Sequence, residues 1–98
     1  KIYMFGGYIN NTYSSNRMLT ISPKQFSPNK LILEEISVSG TLPGPRHDHC
    51  MTSVSKDNNQ IYIFGGIISN IDKRSNELWK FDATLNSWTL LTGCIAYE

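Results

Sequence analysis

Residues 60–66 read QIYIFGG, and residues 1–7 have already read KIYMFGG. On an extended chain Ile61 and Ile63 face one way while Tyr62 and Phe64 face the other, so both faces are apolar. A half-solvated strand would place a polar residue at every second position, so this run marks a central strand covered on both sides. The two glycines end it. They suit a backbone that needs positive φ, or a neighbouring segment too close to admit a Cβ. One copy is an apolar strand with a glycine turn, whereas two copies 59 residues apart make a repeat.

Outward from this pair the echo continues. Residues 8–16, rich in Asn and Ser, read as an exposed polar loop, and 17–21 (RMLTI) resume a strand. The counterpart is 77–81 (ELWKF), and the two are preceded by Asn16 and Asn76. Met18 and Leu78 stand 60 residues apart, Leu33 and Trp88 55 apart. Such drift is expected when strands are fixed and loops vary, and the period suits propeller blades. Residues 22–30 (SPKQFSPNK) read as a turn region, because Pro23 and Pro28 cannot donate to a ladder, and 31–38 as a further strand. Residues 39–45 (SGTLPGP) connect the halves. Residues 46–54 (RHDHCMTSV) read as a strand with His49, Met51 and Ser53 on one face, and 56–59 (KDNN) as a tight turn leading back into QIYIFGG. The second half then holds four strands in meander order, 46–54, 60–65, 77–82 and 87–91, and the first half only the last three. No segment carries a 3.6-residue period, so helix is nearly absent.

Ninety-eight residues with 40% hydrophobic content suit one small globular domain. A net charge of +1 without a Lys/Arg run argues against nucleic acid and against an anionic membrane surface. No apolar run reaches the length of a bilayer-spanning helix. No signal peptide opens the chain, which starts with a strand under way and so reads as a piece of something longer. Cys50 and Cys94 are too few for a disulfide framework and read as reduced thiols packed as small hydrophobes. An intracellular, cytoplasmic location is the corresponding expectation.

With these segments in place, the second half resembles a kelch repeat from end to end. Pro43, Pro45, Arg46 and His49 stand like its P-x-P-R-x-x-H opening, and residues 61–66 like its apolar strand with double glycine. Residues 76–82 (NELWKFD) are similar to its N-x-L-W-x-F-D segment, and 86–91 (NSWTLL) to its W-x-x-L ending. The first half is a degenerate copy, with Leu19 and Leu33 in place of the two tryptophans, and Asp48 stands where the pattern usually has glycine. The resemblance implies an all-β chain, a kelch-type β-propeller fragment of four-stranded antiparallel meander blades set round a channel. Residues 1–40 would be a partial blade of three strands, 41–93 a complete blade, and 94–98 the start of the connection to a next blade. Further kelch blades in the parent chain, or self-association, would then cover faces that a lone repeat leaves open.

The cluster His47-Asp48-His49-Cys50 has metal-like composition, and on a strand His47 and His49 would share a face. No third ligand stands nearby on that face, and the resemblance already accounts for Arg46 and His49 as structural residues. No G-x-S-x-G elbow and no phosphate-binding glycine loop occurs. Glu34 and Glu35 point to opposite faces and form no carboxylate pair. Trp79, Phe81 and Trp88 read as packing between blades. No catalytic residue, cofactor site or metal ligand is therefore assigned. What remains is recognition by loops on a rigid scaffold. Residues 8–15, 67–75 and 39–45 are expected at one rim, with Tyr8, Tyr13, Asn70, Asp72, Lys73 and Arg74 as contacts for a protein partner. The expected function is a protein–protein interaction module. The alternative is the kelch region of a larger enzyme or enzyme complex, such as a Ser/Thr phosphatase or ubiquitin-ligase adaptor, with catalysis elsewhere.

Overall fold

The computed structural model describes residues 2–10, 12–24, 27–54 and 59–94, and every regular element among them is a strand. The first half holds β1 (Ile2–Phe5), β2 (Tyr8–Ile9), β3 (Tyr13–Ser14), β4 (Met18–Lys24) and β5 (Ser27–Glu35). The second holds β6 (Cys50–Ser53), β7 (Gln60–Phe64), β8 (Ile67–Ile68), β9 (Lys73–Arg74), β10 (Leu78–Asp82) and β11 (Ser87–Thr92). One antiparallel sheet runs β1-β4-β5 and the other β11-β10-β7-β6, while β2 with β3 and β8 with β9 form short ribbons. Both larger sheets are meanders, as the order of apolar segments predicts.

The period of two decides which faces meet. In the first sheet the pairings Tyr3↔Thr20 and Phe5↔Met18 put those four side chains on one face. In the second, Trp79↔Ile63 and Phe81↔Ile61 do the same. Those two faces close on each other, and Phe5, Met18, Ile61, Ile63, Trp79, Phe81 and Trp88 form a single buried cluster. Trp88 is its hinge, with ring centres 5.0 Å from both Phe5 and Phe81.

The repeat gives the remaining faces a meaning. Tyr3, Phe5 and Met18 correspond to Tyr62, Phe64 and Leu78, and Ile61, Ile63, Trp79 and Phe81 correspond to Ile2, Met4, Leu19 and Ile21. Each outward face is thus the counterpart of one half of the core. Ile2 is 63% exposed on one and Phe64 50% on the other. β7 is central in its sheet as its composition predicts, but only its Ile61 and Ile63 face is covered among the described residues. Cys50, paired with Phe64, shares that open face, and Cys94 lies past the end of β11; both are unbridged and exposed rather than packed.

Two further expectations are corrected. β4 and β5 run through much of the proline-bearing stretch 22–30, which the sequence marks as a turn region, and Pro23 pairs with Leu31. The pairing of β1 with β4 ends at Ile2↔Ile21, so Pro23 lies past the point where a ladder donor is needed on that side. The tight turn expected over 56–59 lies, except for Asn59, outside the described residues, although the hairpin of β6 with β7 forms. The strand expected from residue 46 begins only at Cys50, because Asp48 adopts φ 59°. That left-handed conformation is the one glycine takes without a Cβ penalty. Asp48→Gly is therefore expected to raise the unfolding free energy by up to about 1 kcal/mol, seen as a higher midpoint in urea melts of the two proteins.

Candidate functional site

The β2–β3 and β8–β9 ribbons extend each blade beyond its sheet at the same end. Their turns carry Asn10 and Asp72 at φ 49° and 51°, a conformation that Asn and Asp tolerate better than other side chains. The ribbons interlock. Ser14 donates its backbone N–H to Asn70 Oδ1 at 2.8 Å, and its hydroxyl lies 2.8 Å from both Ser69 Oγ and His47 Nδ1. Tyr8 stacks on the His47 ring, centre to centre 4.4 Å. Ser14 and Ser15 are consequently buried, although residues 8–16 read as an exposed loop.

The six expected contact residues therefore separate. Tyr8 and Asn70 serve the junction between ribbons. Tyr13, half exposed, and Asp72 stand outward at the turns. Lys73 is half-buried, and Arg74 is exposed beside a cleft lined by Asp48, Phe64 and Ile67. Residues 39–45 share this rim only in part: Asn16 Nδ2 reaches Pro43 O at 3.5 Å, whereas Ser39 bridges to Ser87, at the opposite end of the sheet. His47 and His49 do not share a face. The turn at Asp48 sends His47 to Ser14 and lays His49 edge-on to Phe5, ring centres 5.6 Å apart. Among the described residues no three His, Cys, Asp or Glu side chains converge as a metal site.

Beneath the rim lies Arg46, with no exposed surface. Its Nη2 donates to Glu77 Oε1 at 2.8 Å, Nη1 to Gly65 O and Ser75 Oγ at 3.2 Å each, and Nε to Gly44 O at 3.0 Å. Glu77 Oε1 also accepts from Trp79 Nε1 at 3.1 Å. The backbone of Arg46 reaches the other blade, accepting from Gly7 N at 2.8 Å and donating to Ser15 O at 3.0 Å. One residue thus ties its own blade by its side chain and the preceding blade by its main chain. Glu77 was not singled out from sequence, and the available signal was an acidic residue two places before the buried Trp79.

The model of the Attractin/LZTR1 β-propeller matches residues 2–96. The chain belongs to the Attractin/LZTR1 β-propeller family. It is 30% identical over 93 residues to the negative regulator of sporulation MDS3 of Candida albicans, covering 88% of this chain and 6% of that protein. It is 36% identical over 63 residues to the putative protein tag-53 of Caenorhabditis elegans, 58% of this chain and 4% of that one. It is 41% identical over 54 residues to human Kelch domain-containing protein 3, 55% of this chain and 13% of that one. The kelch resemblance is thereby shown, and the chain spans only a small part of each relative's length.

In this Attractin/LZTR1-type propeller Glu77 and His49 are expected to make stability depend on pH in acid. Burial alone would raise the Glu77 carboxyl, but hydrogen bonds from Arg46 and Trp79 and the Arg46 charge outweigh it and hold it below its ordinary 4.5. Burial also pushes His49 below its ordinary 6.5, against a hydrogen bond with the Phe5 backbone. Both folded values are depressed, so the unfolded chain binds protons first in acid. Stability is expected to be full above pH 6.5, to decline below it, and to fall further below 4.5. Melting temperature against pH checks this, and Glu77→Gln should flatten the lower step.

Proposed function

We propose that this chain is part of a kelch-type propeller that binds a protein partner through the rim formed by its two ribbons. The observation that carries the reading is the interlock at Ser14, His47, Ser69 and Asn70, which fixes two adjacent turns relative to one another. A surface that is already ordered loses less entropy on binding than a free loop does. Tyr13 then offers a half-exposed ring and Asp72 a charge, the kind of aromatic and polar pairing that interfaces favour. The propeller family and the relatives named for kelch domains support interaction as the general role.

The test is affinity capture with the full-length protein, followed by titration of the recovered partner. Tyr13→Ala combined with Asp72→Asn, which removes the charge and keeps a side chain suited to the left-handed turn, is expected to weaken binding at least about tenfold, the effect of removing an interface anchor. The melting temperature should stay close to that of the parent. Unchanged affinity would remove the rim as the binding surface.

A further inference from the structure

The two halves carry the same junction twice, once filled and once open. At the filled one, residues 43–49 lie over the glycine pair and ribbon of the first blade. Arg46 bonds Gly7 and Ser15 through its backbone, His47 holds Ser14 and stacks on Tyr8, and His49 closes on Gly6. The sequence Gly6-Gly7-Tyr8 leading to Ser14-Ser15-Asn16 recurs as Gly65-Gly66-Ile67 leading to Arg74-Ser75-Asn76. The ladders agree, Tyr8↔Ser14 in one ribbon and Ile67↔Arg74 in the other. Arg74 therefore stands in the place of Ser14, and Ile67 in that of Tyr8. The surroundings differ: Ser14 is buried, whereas Arg74 is exposed. A methyl group on Gly6 would lie 2.5 Å from Arg46 O, whereas one on Gly65 would make only ordinary contact, 3.5 Å from Ser75 O.

The two changes alter what the open junction can receive. At the filled one a hydroxyl engages an imidazole and a phenol ring stacks on it. At the open one a guanidinium replaces the hydroxyl and an aliphatic chain replaces the ring. A histidine placed there would face a cation and lose its stacking surface. A guanidinium is instead matched by a carboxylate, which accepts two parallel hydrogen bonds from it. Among the described residues the ion pairs are Arg17 with Glu35 and Arg46 with Glu77, and neither involves Arg74.

We infer that the cleft beside Phe64, Ile67 and Arg74 seats the opening segment of a further blade of the parent chain. That segment carries aspartate or glutamate, not histidine, at the position corresponding to His47, paired with Arg74. The inference rests on the propeller reading and deepens it, since each junction is keyed by its own polar pair and blades are not interchangeable. A second copy of this chain, which would bring His47 to the cleft, is the wrong occupant.

The test uses the full-length parent protein carrying Arg74→Lys. A zero-length carbodiimide then joins the new amine to a neighbouring carboxylate, with cross-linked peptides mapped by mass spectrometry against the unsubstituted protein. In parallel, alkylation of Cys50, on the same open face, is followed residue by residue. The expected result is a variant-specific cross-link to an acidic residue outside residues 1–98, with Cys50 alkylated at least about tenfold more slowly than a free exposed thiol. Slow alkylation of Cys50 without such a cross-link, or with coupling to Asp48 alone, overturns the acidic key while leaving the propeller intact. Fast alkylation of Cys50 overturns the covered face and the key together.

Discussion

Arg46→Ala is expected to lower the unfolding free energy by about 3–5 kcal/mol, because it leaves the Glu77 carboxylate buried without its counter-charge. That is a large part of the 5–15 kcal/mol of an ordinary domain. The loss exceeds that of a surface ion pair such as Arg17 with Glu35, whose side chains are 60% and 51% exposed and whose contribution is about 0–1 kcal/mol. Arg46 also satisfies the carbonyls of Gly44 and Gly65, so Arg46→Lys, which keeps the charge but not the planar fork, should fall between the two. Adding Glu77→Gln to Arg46→Ala removes the orphaned charge and should restore part of the loss. Urea denaturation followed by tryptophan fluorescence and circular dichroism checks the series. A loss below about 1 kcal/mol for Arg46→Ala would show that the pair does not organise the rim.

The strands were legible because their signal is local. The apolar run of QIYIFGG, its echo at the start of the chain, and the Trp79, Phe81 and Trp88 pattern all lie within single segments, and the family pattern then ordered them. The rim was harder because its contacts are not local. Ser14 meets His47, Ser69 and Asn70 across 33 to 56 residues of sequence, and nothing in an Asn/Ser-rich loop marks one serine for burial. The divergence of His47 from His49 follows from one backbone angle at Asp48. The glycine that usually stands there was the available clue, and it pointed to a left-handed turn where strand alternation did not. For the glycine pair, sequence offered either positive φ or a close approach, and Gly6 shows both, at φ 73° and against Arg46 O.

Phe81→Ala tests the core between the blades and, beside Phe64→Ala, the meaning of the open faces. Phe81 is fully buried, packed against Trp88 and tilted toward Tyr3 of the other sheet at 6.2 Å. Its truncation is expected to lower stability by about 3–5 kcal/mol, through lost transfer energy and the cavity left between sheets that relax only in part. Phe64 lies on the opposite face and is half exposed, so in the 98-residue chain its truncation should matter less, by about 1–2 kcal/mol. Yet Phe64 corresponds to Phe5, which is buried against Trp88 at the filled junction. In a longer propeller a further blade would cover Phe64 in the same way, and the loss from Phe64→Ala should rise toward that of Phe5→Ala. Thermal melts of both variants in the short and long chains read the difference directly. If the effect of Phe64→Ala does not grow with chain length, no blade covers that face.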